Sequence, residues 1–326
     1  MNIQDTQFDG YPHIIEAQQF SSEWLKGEFF PLVNEMQDIF EQGGCDILDD
    51  KRMVSLFYQP STRTRMSFEM AMDYMGGRVV FSTENAREFS SAKKGETLRD
   101  AFKVINRYRP DVIVIRYDQE IGAKFAAEVS RVPVVNAGDR EPGQHPTQAL
   151  LDLRTIFKRR GGKIDGLKIA MVGDLDKGRT VRSLSYLLGK FKGVEIYYVS
   201  PDSTRMKEDV KDYLYKHDIV FKETTDLREV APFIDVIYQT RTQTECGTTL
   251  DRNDRSIGYF IVDRTILGLM KNDAIIMHPL PRVDEISPDV DNDPRSVYLT
   301  DQIDSGLFTR MALLKMILAP NELLNL

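Results

Sequence analysis

Short apolar runs rich in β-branched residues recur along this chain, between longer stretches with helical spacing. VIVIR at 112–116 and KIAMVG at 168–173 are typical, because apolar residues follow one another with little polar alternation. Runs of this kind indicate strands buried on both faces, as in parallel sheets that helices cover. Eight such strands are predicted, at 54–59, 78–82, 112–116, 132–138, 168–173, 195–200, 235–240 and 274–279.

The strands fall into two series, which predict two α/β domains of similar size. The charged, glycine-bearing stretch FKRRGGKIDG at 157–166 lies between the series, so we place the domain boundary near residue 155. Each domain is expected to be a parallel sheet flanked by helices. The apolar stretch SGLFTRMALLKMILA predicts a last helix that must pack on a core.

Charge and composition exclude several classes of function. The 326 residues include 43 Lys and Arg against 50 Asp and Glu, a net charge of −7 that argues against a general binder of nucleic acid or membrane surfaces. With neither a signal peptide nor a bilayer-spanning run, a cytoplasmic protein is expected. Cys45 and Cys246 stand in unrelated contexts and the four His form no H-E-x-x-H motif, so no disulfide, metal or cofactor is expected.

Polar clusters at strand ends are the candidate site, because open parallel sheets bind ligands beyond the carboxyl ends of their strands. In YQPSTRTR at 58–65, a strand gives way to a helix whose N-terminus carries three hydroxyls and two guanidiniums. Such a helix end suits a phosphate. The alternative is an N-capping serine with solvated arginines.

Three further features of the first domain carry weaker signals. Lys94 lies in the polar loop SSAKKGET, which on its own reads as ordinary surface. Pro146 suits a first helical position, which would place His145 at the mouth of a helix and Gln148 in its first turn. Arg116 ends a strand, where an arginine directed at solvent is an equal alternative.

The stretch GDLDKGRT at 173–180 differs from a nucleotide-binding P-loop in having Arg where the P-loop has Lys. Asp174 and Asp176 would repel a polyphosphate, and Arg cannot replace that Lys without changing the geometry. Arg179 here and Arg241 after a later strand instead suit two carboxylates, which Arg binds bidentately. Leu280 stands between two prolines that fix its backbone.

Five blocks together, STRTR, KKGET, HPTQALLDL, GDLDKGRTVRSL and HPLPRVDEI, resemble the catalytic chains of aspartate carbamoyltransferases. The resemblance runs from about residue 12 to the C-terminal helix. Ornithine carbamoyltransferases share the first and third blocks but typically end in H-C-L-P, where this chain has HPLP. The resemblance implies transfer of a carbamoyl group from carbamoyl phosphate to L-aspartate, in pyrimidine (UMP) biosynthesis.

The resemblance also implies a domain organisation and an assembly. The expected parts are a carbamoyl phosphate-binding domain at 1–150, an aspartate-binding domain at 151–302, and a C-terminal helix at 303–326 that returns to the first domain. Such chains form homotrimers with shared active sites. The sequence leaves open whether a separate regulatory chain is a partner.

Residue roles follow from the same resemblance, and none of them needs a metal. Ser90 and Lys94 would close over the phosphate from the neighbouring chain, with Lys94 also assisting at the aspartate. Thr64, Arg116 and His145 would polarise the carbamoyl oxygen. The two carboxylates of aspartate would be fixed by Arg179, Arg241 and Gln243, assisted by the backbone at Leu280. The implied set is Ser61, Thr62, Arg63, Thr64, Ser90, Lys94, Arg116, His145, Gln148 (for the carbamoyl amide), Arg179, Arg241, Gln243, Pro279 and Leu280.

The chain departs from the family pattern at Gln59, Cys246 and Asp176, where relatives usually have Glu, Arg and no acid. The first two usually join salt bridges of the domain-closed state, so a weaker preference for closure is expected here. A second hypothesis is a non-catalytic homologue that serves as a trimeric assembly or a carbamoyl phosphate sensor. Retention of the phosphate, carbonyl and aspartate residues argues against it.

Overall fold

Two parallel sheets, of four and five strands, organise the part of the chain that the structure describes. The structure is a computed structural model, which describes residues 7–8, 11–119, 122–140, 143–241 and 260–322. A short antiparallel pair, β1 (Gln7–Phe8) and β2 (Tyr11–Pro12), precedes the sheets. The sheet strands are β3 (Arg52–Phe57), β4 (Arg78–Thr83), β5 (Val112–Arg116), β6 (Val134–Asn136), β7 (Lys168–Val172), β8 (Glu195–Val199), β9 (Val220–Thr224), β10 (Val236–Gln239) and β11 (Ile275–Met277).

The first sheet has the order β4-β3-β5-β6 and the second β11-β10-β7-β8-β9, with all neighbouring strands parallel. The eight predicted strands are confirmed, and every residue of β5 is buried, as its unbroken apolar run predicts. The prediction missed β9. This strand lies at the edge of its sheet, and its sequence VFKET is half exposed and polar, so it lacks the apolar run that marks the others.

Helices connect the strands and begin at recognisable signals. The Thr97 hydroxyl accepts the Asp100 N–H at the start of α5, and Pro146 is the first residue of α7. A five-residue π-helical turn, Leu25–Phe29, joins α1 to α2. The helices are α1 (Ser22–Trp24), α2 (Phe30–Glu41), α3 (Thr62–Tyr74), α4 (Ala86–Phe89), α5 (Leu98–Tyr108), α6 (Gly122–Val129), α7 (Pro146–Arg159), α8 (Arg179–Leu188), α9 (Glu208–Lys216), α10 (Arg264–Leu269) and α11 (Asp301–Leu318).

The chain divides into two compact units, residues 1–151 with 304–326 and residues 152–303. In the first unit, residues from β3, β5 and α6 form an apolar core, and in the second unit residues from β7, β8, β10 and β11 form another. The last helix, α11, packs within the first unit, where the Phe308 ring meets Phe40 and Arg310 lies over Phe68. No helix within the described ranges combines the length and apolar character that crossing a membrane requires.

Candidate functional site

Each sheet has one point where the chain changes the direction in which strands are added. In the first sheet this point lies between β3 and β5, since β4 is added on one side and β5 and β6 on the other. In the second sheet it lies between β7 and β10 for the same reason. Open parallel sheets bind ligands in the crevice at such a point. The candidate residues follow these strands and their neighbours.

The phosphate candidates lie where β3 gives way to α3. Ser61 is the N-cap residue of α3, yet its hydroxyl does not cap the helix, so it does not occupy the first-turn N–H groups. Arg63 follows in the first turn as an exposed side chain. Partial desolvation lowers the pKa of its guanidinium, and no acid among the described residues offsets that effect. A guanidinium in this setting is suited to an external anion.

Two other residues of the same block are engaged by protein partners. Arg65 donates to the Ser82 hydroxyl at 2.7 Å and lies 3.6 Å from the Glu84 carboxylate, so the second guanidinium of the block supports β4 and the loop that follows it. Thr62 Oγ1 also donates to Glu84, at 2.6 Å. Of the two arginines at this helix end, Arg63 is therefore the one suited to bind an anion.

Three predicted carbonyl-polarising residues come together in the first unit. Thr64 Oγ1 lies 3.4 Å from His145 Nε2, and both side chains are buried. Arg116 is buried at the end of β5 and contacts the Ala137 carbonyl at 3.4 Å. A Cβ at Gly138 would lie 3.0 Å from His145 Cδ2 and 3.1 Å from Arg116 Nη1, so a glycine with φ +110° is needed where the two side chains converge.

Gln148 lies in the first turn of α7, and His145 directly precedes that helix, as predicted. The N–H of Gln148 donates to the His145 carbonyl at 3.1 Å, so helix formation itself sets the distance between the two residues. Gln148 is also buried, in the same unit as the Thr64–His145 pair.

Ser90 and Lys94 occupy a separate segment between α4 and α5. Ser90 Oγ donates to the Ala86 carbonyl at 2.6 Å and accepts the Ala92 N–H at 3.1 Å, and Lys94 is exposed. The helix α4, which precedes this segment, is fastened to the residues just after β5 by a bidentate ion pair, in which Arg87 donates to both carboxylate oxygens of Asp118 at 2.6 Å. No sequence motif predicts this ion pair.

In the second unit, the loops after β7 and β10 approach each other closely. A Cβ at Gly173 would lie 2.6 Å from the Thr240 carbonyl oxygen, so only glycine, here at φ +120°, allows the contact. The Asp174 N–H donates to the Arg241 carbonyl at 3.3 Å. Arg179 opens α8 at the end of the first of these loops. The structure therefore brings the chain segments of the two predicted carboxylate-binding arginines to the same edge of the sheet.

The two acids of GDLDKGRT have different surroundings. Asp176 lies 3.6 Å from the Lys207 ammonium, so a basic neighbour accompanies this acid. Asp174 is buried, and its Oδ2 has no hydrogen-bond partner within the described ranges, while its other oxygen accepts the Lys177 N–H. Burial raises the pKa of Asp174, although the Lys177 backbone and charge oppose the shift. A buried acid here disfavours a nucleotide polyphosphate in this loop.

The loop after β11 holds Pro279 and Leu280. The Leu280 N–H donates to His278 Nδ1 at 2.7 Å, Leu280 has φ +55°, and the Leu280–Pro281 peptide bond is cis. Because prolines have no N–H, the backbone of 279–281 can offer a ligand carbonyl groups alone. Carbonyl groups accept hydrogen bonds, so this backbone is suited to a ligand amine rather than to a carboxylate.

Two residues of the sequence prediction, Gln243 and Cys246, lie outside the described residues. The chain also departs from the family pattern at Asp176 and Gln59. Gln59 is half-buried just after β3. The structure adds a feature that sequence reasoning missed, a buried contact between His278 and Glu285. Both residues belong to the block HPLPRVDEI, and that quoted motif was the signal that could have led to them.

Two parallel-sheet units, each with basic and hydroxyl side chains at its switch point, define a class of two-domain α/β proteins that bind small anionic ligands. Residues 12–158 match the family model described as "Aspartate/ornithine carbamoyltransferase, carbamoyl-P binding domain". Residues 165–317 match its companion, "Asp/Orn binding domain". The chain belongs to the aspartate/ornithine carbamoyltransferase family, as the resemblance predicted.

Individual relatives agree with this assignment. The chain is 52% identical over 307 residues to the chloroplastic aspartate carbamoyltransferase of Arabidopsis thaliana, covering 94% of this chain and 77% of that protein. The catalytic subunit of M. jannaschii aspartate transcarbamoylase has a TM-score of 0.85 and 41% identity, covering 95% and 98% of the two chains. The Trypanosoma cruzi aspartate transcarbamoylase in complex with N-(phosphonacetyl)-L-aspartic acid has a TM-score of 0.87 and 37% identity, covering 94% and 96%.

Proposed function

We propose that the chain transfers the carbamoyl group of carbamoyl phosphate to the amino group of L-aspartate and releases phosphate, the reaction that supplies carbamoylaspartate to pyrimidine synthesis. The observation that carries the proposal is the convergence of Thr64, Arg116 and His145 beside the N-terminus of α3. Solved structures of the T. cruzi relative hold carbamoyl phosphate with aspartate, and carbamoyl aspartate with phosphate. Those ligands support the same substrates here.

The first unit holds carbamoyl phosphate. Backbone N–H groups at the start of α3 and the Arg63 guanidinium receive the phosphate, since a helix N-terminus carries unpaired donors and a partial positive charge. Thr64, Arg116 and His145 direct their donors at the carbonyl oxygen. Gln148 holds the carbamoyl amide group.

The second unit holds L-aspartate. Arg179 and Arg241, together with Gln243, bind the two carboxylates, and the Leu280 carbonyl accepts a hydrogen bond from the amine. This division uses the donors and acceptors that the chain offers, because the Leu280 N–H is already given to His278. An acceptor at the amine also orients the nitrogen lone pair for attack.

The chemistry needs charge stabilisation and positioning. The neutral amine attacks the carbonyl carbon, and negative charge develops on the carbonyl oxygen. The carbonyl then re-forms as the C–O bond to phosphate breaks, the electron pair leaves on phosphate, and the proton that the nitrogen gives up leaves with it. A preorganised donor at such an oxygen lowers the activation barrier by about 3–4 kcal/mol. Three donors packed in one buried cluster stabilise the charge on this oxygen without rearrangement of water.

A colour assay for carbamoylaspartate on the purified chain tests the proposal, with L-ornithine in place of aspartate as the matched control. Product with aspartate and none with ornithine is the expected result. Citrulline formation would assign the chain to the ornithine branch of the family. Bound carbamoyl phosphate without any product would instead support the non-catalytic carbamoyl phosphate-binding alternative.

We also propose that the chain acts as a homotrimer in which Ser90 and Lys94 complete the site of a neighbouring copy. Two features support an interface on this side of the first unit. β4 is an uncovered edge strand, and large apolar side chains are exposed on α3, β4 and α4. These side chains are Met66, Met70, Val80, Phe81 and Phe89.

Complementation between inactive chains tests the shared site. Arg63→Ala and Lys94→Ala chains, each inactive alone, should regain part of the activity when refolded together, because a mixed trimer contains some sites without either lesion. Lys93→Ala is the matched control, since Lys93 pairs with Glu88 on its own chain and should stay active. No recovery in verified mixed oligomers would place both residues in a site within one chain.

A further inference from the structure

The loop Pro279–Leu280–Pro281 has a single main-chain donor. Proline lacks an N–H, so the Leu280 N–H is the one amide hydrogen that these three residues possess. It is donated to His278 Nδ1 at 2.7 Å. Leu280 also sits at φ +55°, a conformation that costs a non-glycine residue free energy and persists when the surroundings hold it. The His278 contact is therefore the hydrogen bond by which the loop backbone is held.

The same contact fixes the protonation pattern of His278. A ring nitrogen that accepts an N–H carries no proton, so the proton of the neutral imidazole is on Nε2. Nε2 lies 2.8 Å from Glu285 Oε1 and donates to it. The other oxygen, Glu285 Oε2, accepts the Val283 N–H at 3.0 Å. Glu285 thus joins the imidazole to the backbone at Val283, just beyond the Pro279–Leu280–Pro281 loop.

Burial makes this arrangement specific. His278 is 1% exposed and Glu285 is 5% exposed. Burial alone would raise the pKa of Glu285, but hydrogen bonds from His278 and from backbone N–H groups outweigh it and keep the pKa low. A buried carboxylate that stays ionised holds the Nε2 proton firmly, and with it the tautomer in which Nδ1 accepts.

The His278 backbone is itself tied into the second unit. Its N–H donates to Gln302 Oε1 at 2.9 Å, and Gln302 Nε2 donates to Asp152 Oδ1 at 2.7 Å. The other Asp152 oxygen accepts the Tyr238 hydroxyl at 2.6 Å. This chain of buried bonds connects the start of the Leu280 loop to β10, the strand that precedes Arg241. The imidazole is consequently held from both its ring and its backbone.

We propose that His278 and Glu285 are positioning residues for aspartate binding: the Glu285-oriented imidazole holds the Leu280 N–H and so sets the direction of the Leu280 carbonyl. The proposal rests on the proposed function, because the Leu280 carbonyl is taken there as the acceptor for the aspartate amine. Neither residue is expected to touch the substrate. Removal of the contact should weaken aspartate binding and leave carbamoyl phosphate binding unchanged, since the first unit holds the latter.

Two substitutions at His278 separate the halves of the contact. The side-chain amide of His278→Asn reaches the position of Nδ1 and can offer Oδ1 to the Leu280 N–H, but it cannot reach Glu285. The longer side chain of His278→Gln reaches the position of Nε2 and can contact Glu285, but it leaves Leu280 without an acceptor. Both remove the aromatic ring, so each is the control of the other for lost packing.

The expected result is a split between these variants in steady-state assays. His278→Gln should raise the KM for aspartate roughly tenfold, the effect of losing one buried hydrogen bond, with an unchanged KM for carbamoyl phosphate. His278→Asn should raise the aspartate KM by less than about threefold. Glu285→Gln, which keeps the shape and one acceptor oxygen, should fall between them. Thermal midpoints show whether the two His278 variants lose similar stability.

Several outcomes would overturn the proposal. Equal aspartate KM values for the Asn and Gln variants at similar stability, or a larger rise for Asn, would show that the Leu280 contact does not matter for binding. If neither His278 variant folds, Glu285→Gln decides, and an aspartate KM equal to that of the unchanged chain would contradict the proposal. An unchanged chain that makes no carbamoylaspartate would instead overturn the proposed function, which keeps the two failures distinct.

Discussion

The candidate residues are held differently at the carboxyl-terminal edges of the two sheets, called here the first edge and the second edge. At the first edge, side chains form the site directly, because Thr64, Arg116 and His145 are all buried and converge at Gly138. At the second edge, Arg179 and Arg241 are half-buried, and the closest contacts are made by backbone, at Gly173 and Thr240. The first edge is thus a set of buried, closely packed donor side chains. The second edge consists of two loops whose backbones contact each other where the strands end.

The difference follows from what each edge would bind. A carbonyl oxygen that gains charge in the transition state needs donors already in place, which packing provides. A flexible amino acid with two carboxylates needs two guanidiniums at a set spacing, and long arginine side chains can adjust to it as long as their backbone anchors are fixed. The comparison predicts that the first edge is sensitive to side-chain changes and the second to backbone changes.

The largest effect is expected for Arg63→Ala at the first edge. The variant loses a guanidinium that no acid of the described chain pairs with, at the helix N-terminus that we propose as the phosphate site. We expect kcat/KM to fall by about 10²–10³-fold, the range for loss of one charge-stabilising donor. Steady-state rates at varied carbamoyl phosphate measure it.

Arg65→Ala is the matched control for this prediction, because it removes the same group two residues later in the same helix. Arg65 serves Ser82 and Glu84, so the variant should lose stability more than turnover. A variant at residue 63 with near-normal rates, or equal rate losses at 63 and 65, would remove the distinction that the structure draws between the two arginines.

The second prediction tests the backbone of the second edge with Gly173→Ala. The new Cβ would lie 2.6 Å from the Thr240 carbonyl oxygen, so the ends of β7 and β10 must separate. We expect a rise of roughly tenfold or more in the aspartate KM, because displacements of about 1 Å can cost up to 10²-fold. Gly193→Ala, also at positive φ but with its nearest atom 3.7 Å away, is the control for backbone strain. Equal aspartate KM values for both variants would refute the prediction.

The third prediction makes the corresponding change at the first edge. In Gly138→Ala, the new Cβ would meet His145 and Arg116 at 3.0 and 3.1 Å, contacts that those side chains can relieve by moving a few tenths of an ångström. We expect kcat to fall about three- to tenfold, with little change in the aspartate KM. Gly43→Ala, at φ +97° with open space around it, should cost similar strain and leave kcat unchanged. A drop in kcat for both would mean that strain, and not the displaced donors, is responsible.

The sequence predicted the strands, and where the candidate residues lie relative to the strand ends, because both depend on local patterns. An unbroken apolar run such as β5 marks a buried strand, and a polar cluster after it marks a strand end. The strand order, which places both clusters at a switch point, depends on contacts between distant residues and could not be obtained in this way. For the same reason, the diversion of Arg65 to Ser82 and the capture of the Leu280 N–H by His278 appeared with the structure alone.

The smallest expected effect concerns Asp174, the buried acid of the second edge. Burial raises the pKa of Asp174, so above that pKa the folded state carries a charge that the unfolded state solvates better. Asp174→Asn removes this charge while its oxygen can still accept the Lys177 N–H. We expect the variant to be more stable by roughly 0.5–1 kcal/mol at neutral pH. Thermal midpoints should rise by about 1–3 °C.

The pH dependence of this gain has a definite sign. Below the ordinary pKa of an aspartate, about 4, both states of the unchanged chain hold a protonated carboxyl at 174, so the variant gains nothing there. As the pH rises through the raised folded pKa, the cost of the buried charge grows and the gain from Asn approaches its full value. Denaturant unfolding of both chains at several pH values measures the difference, in which the titrations of all other acids cancel. A gain that is constant with pH would show that Asp174 is not ionised at a cost, and a less stable variant at neutral pH would show that its carboxylate is compensated within the second edge. In either case the backbone, and not an uncompensated acid, would distinguish the second edge from the first.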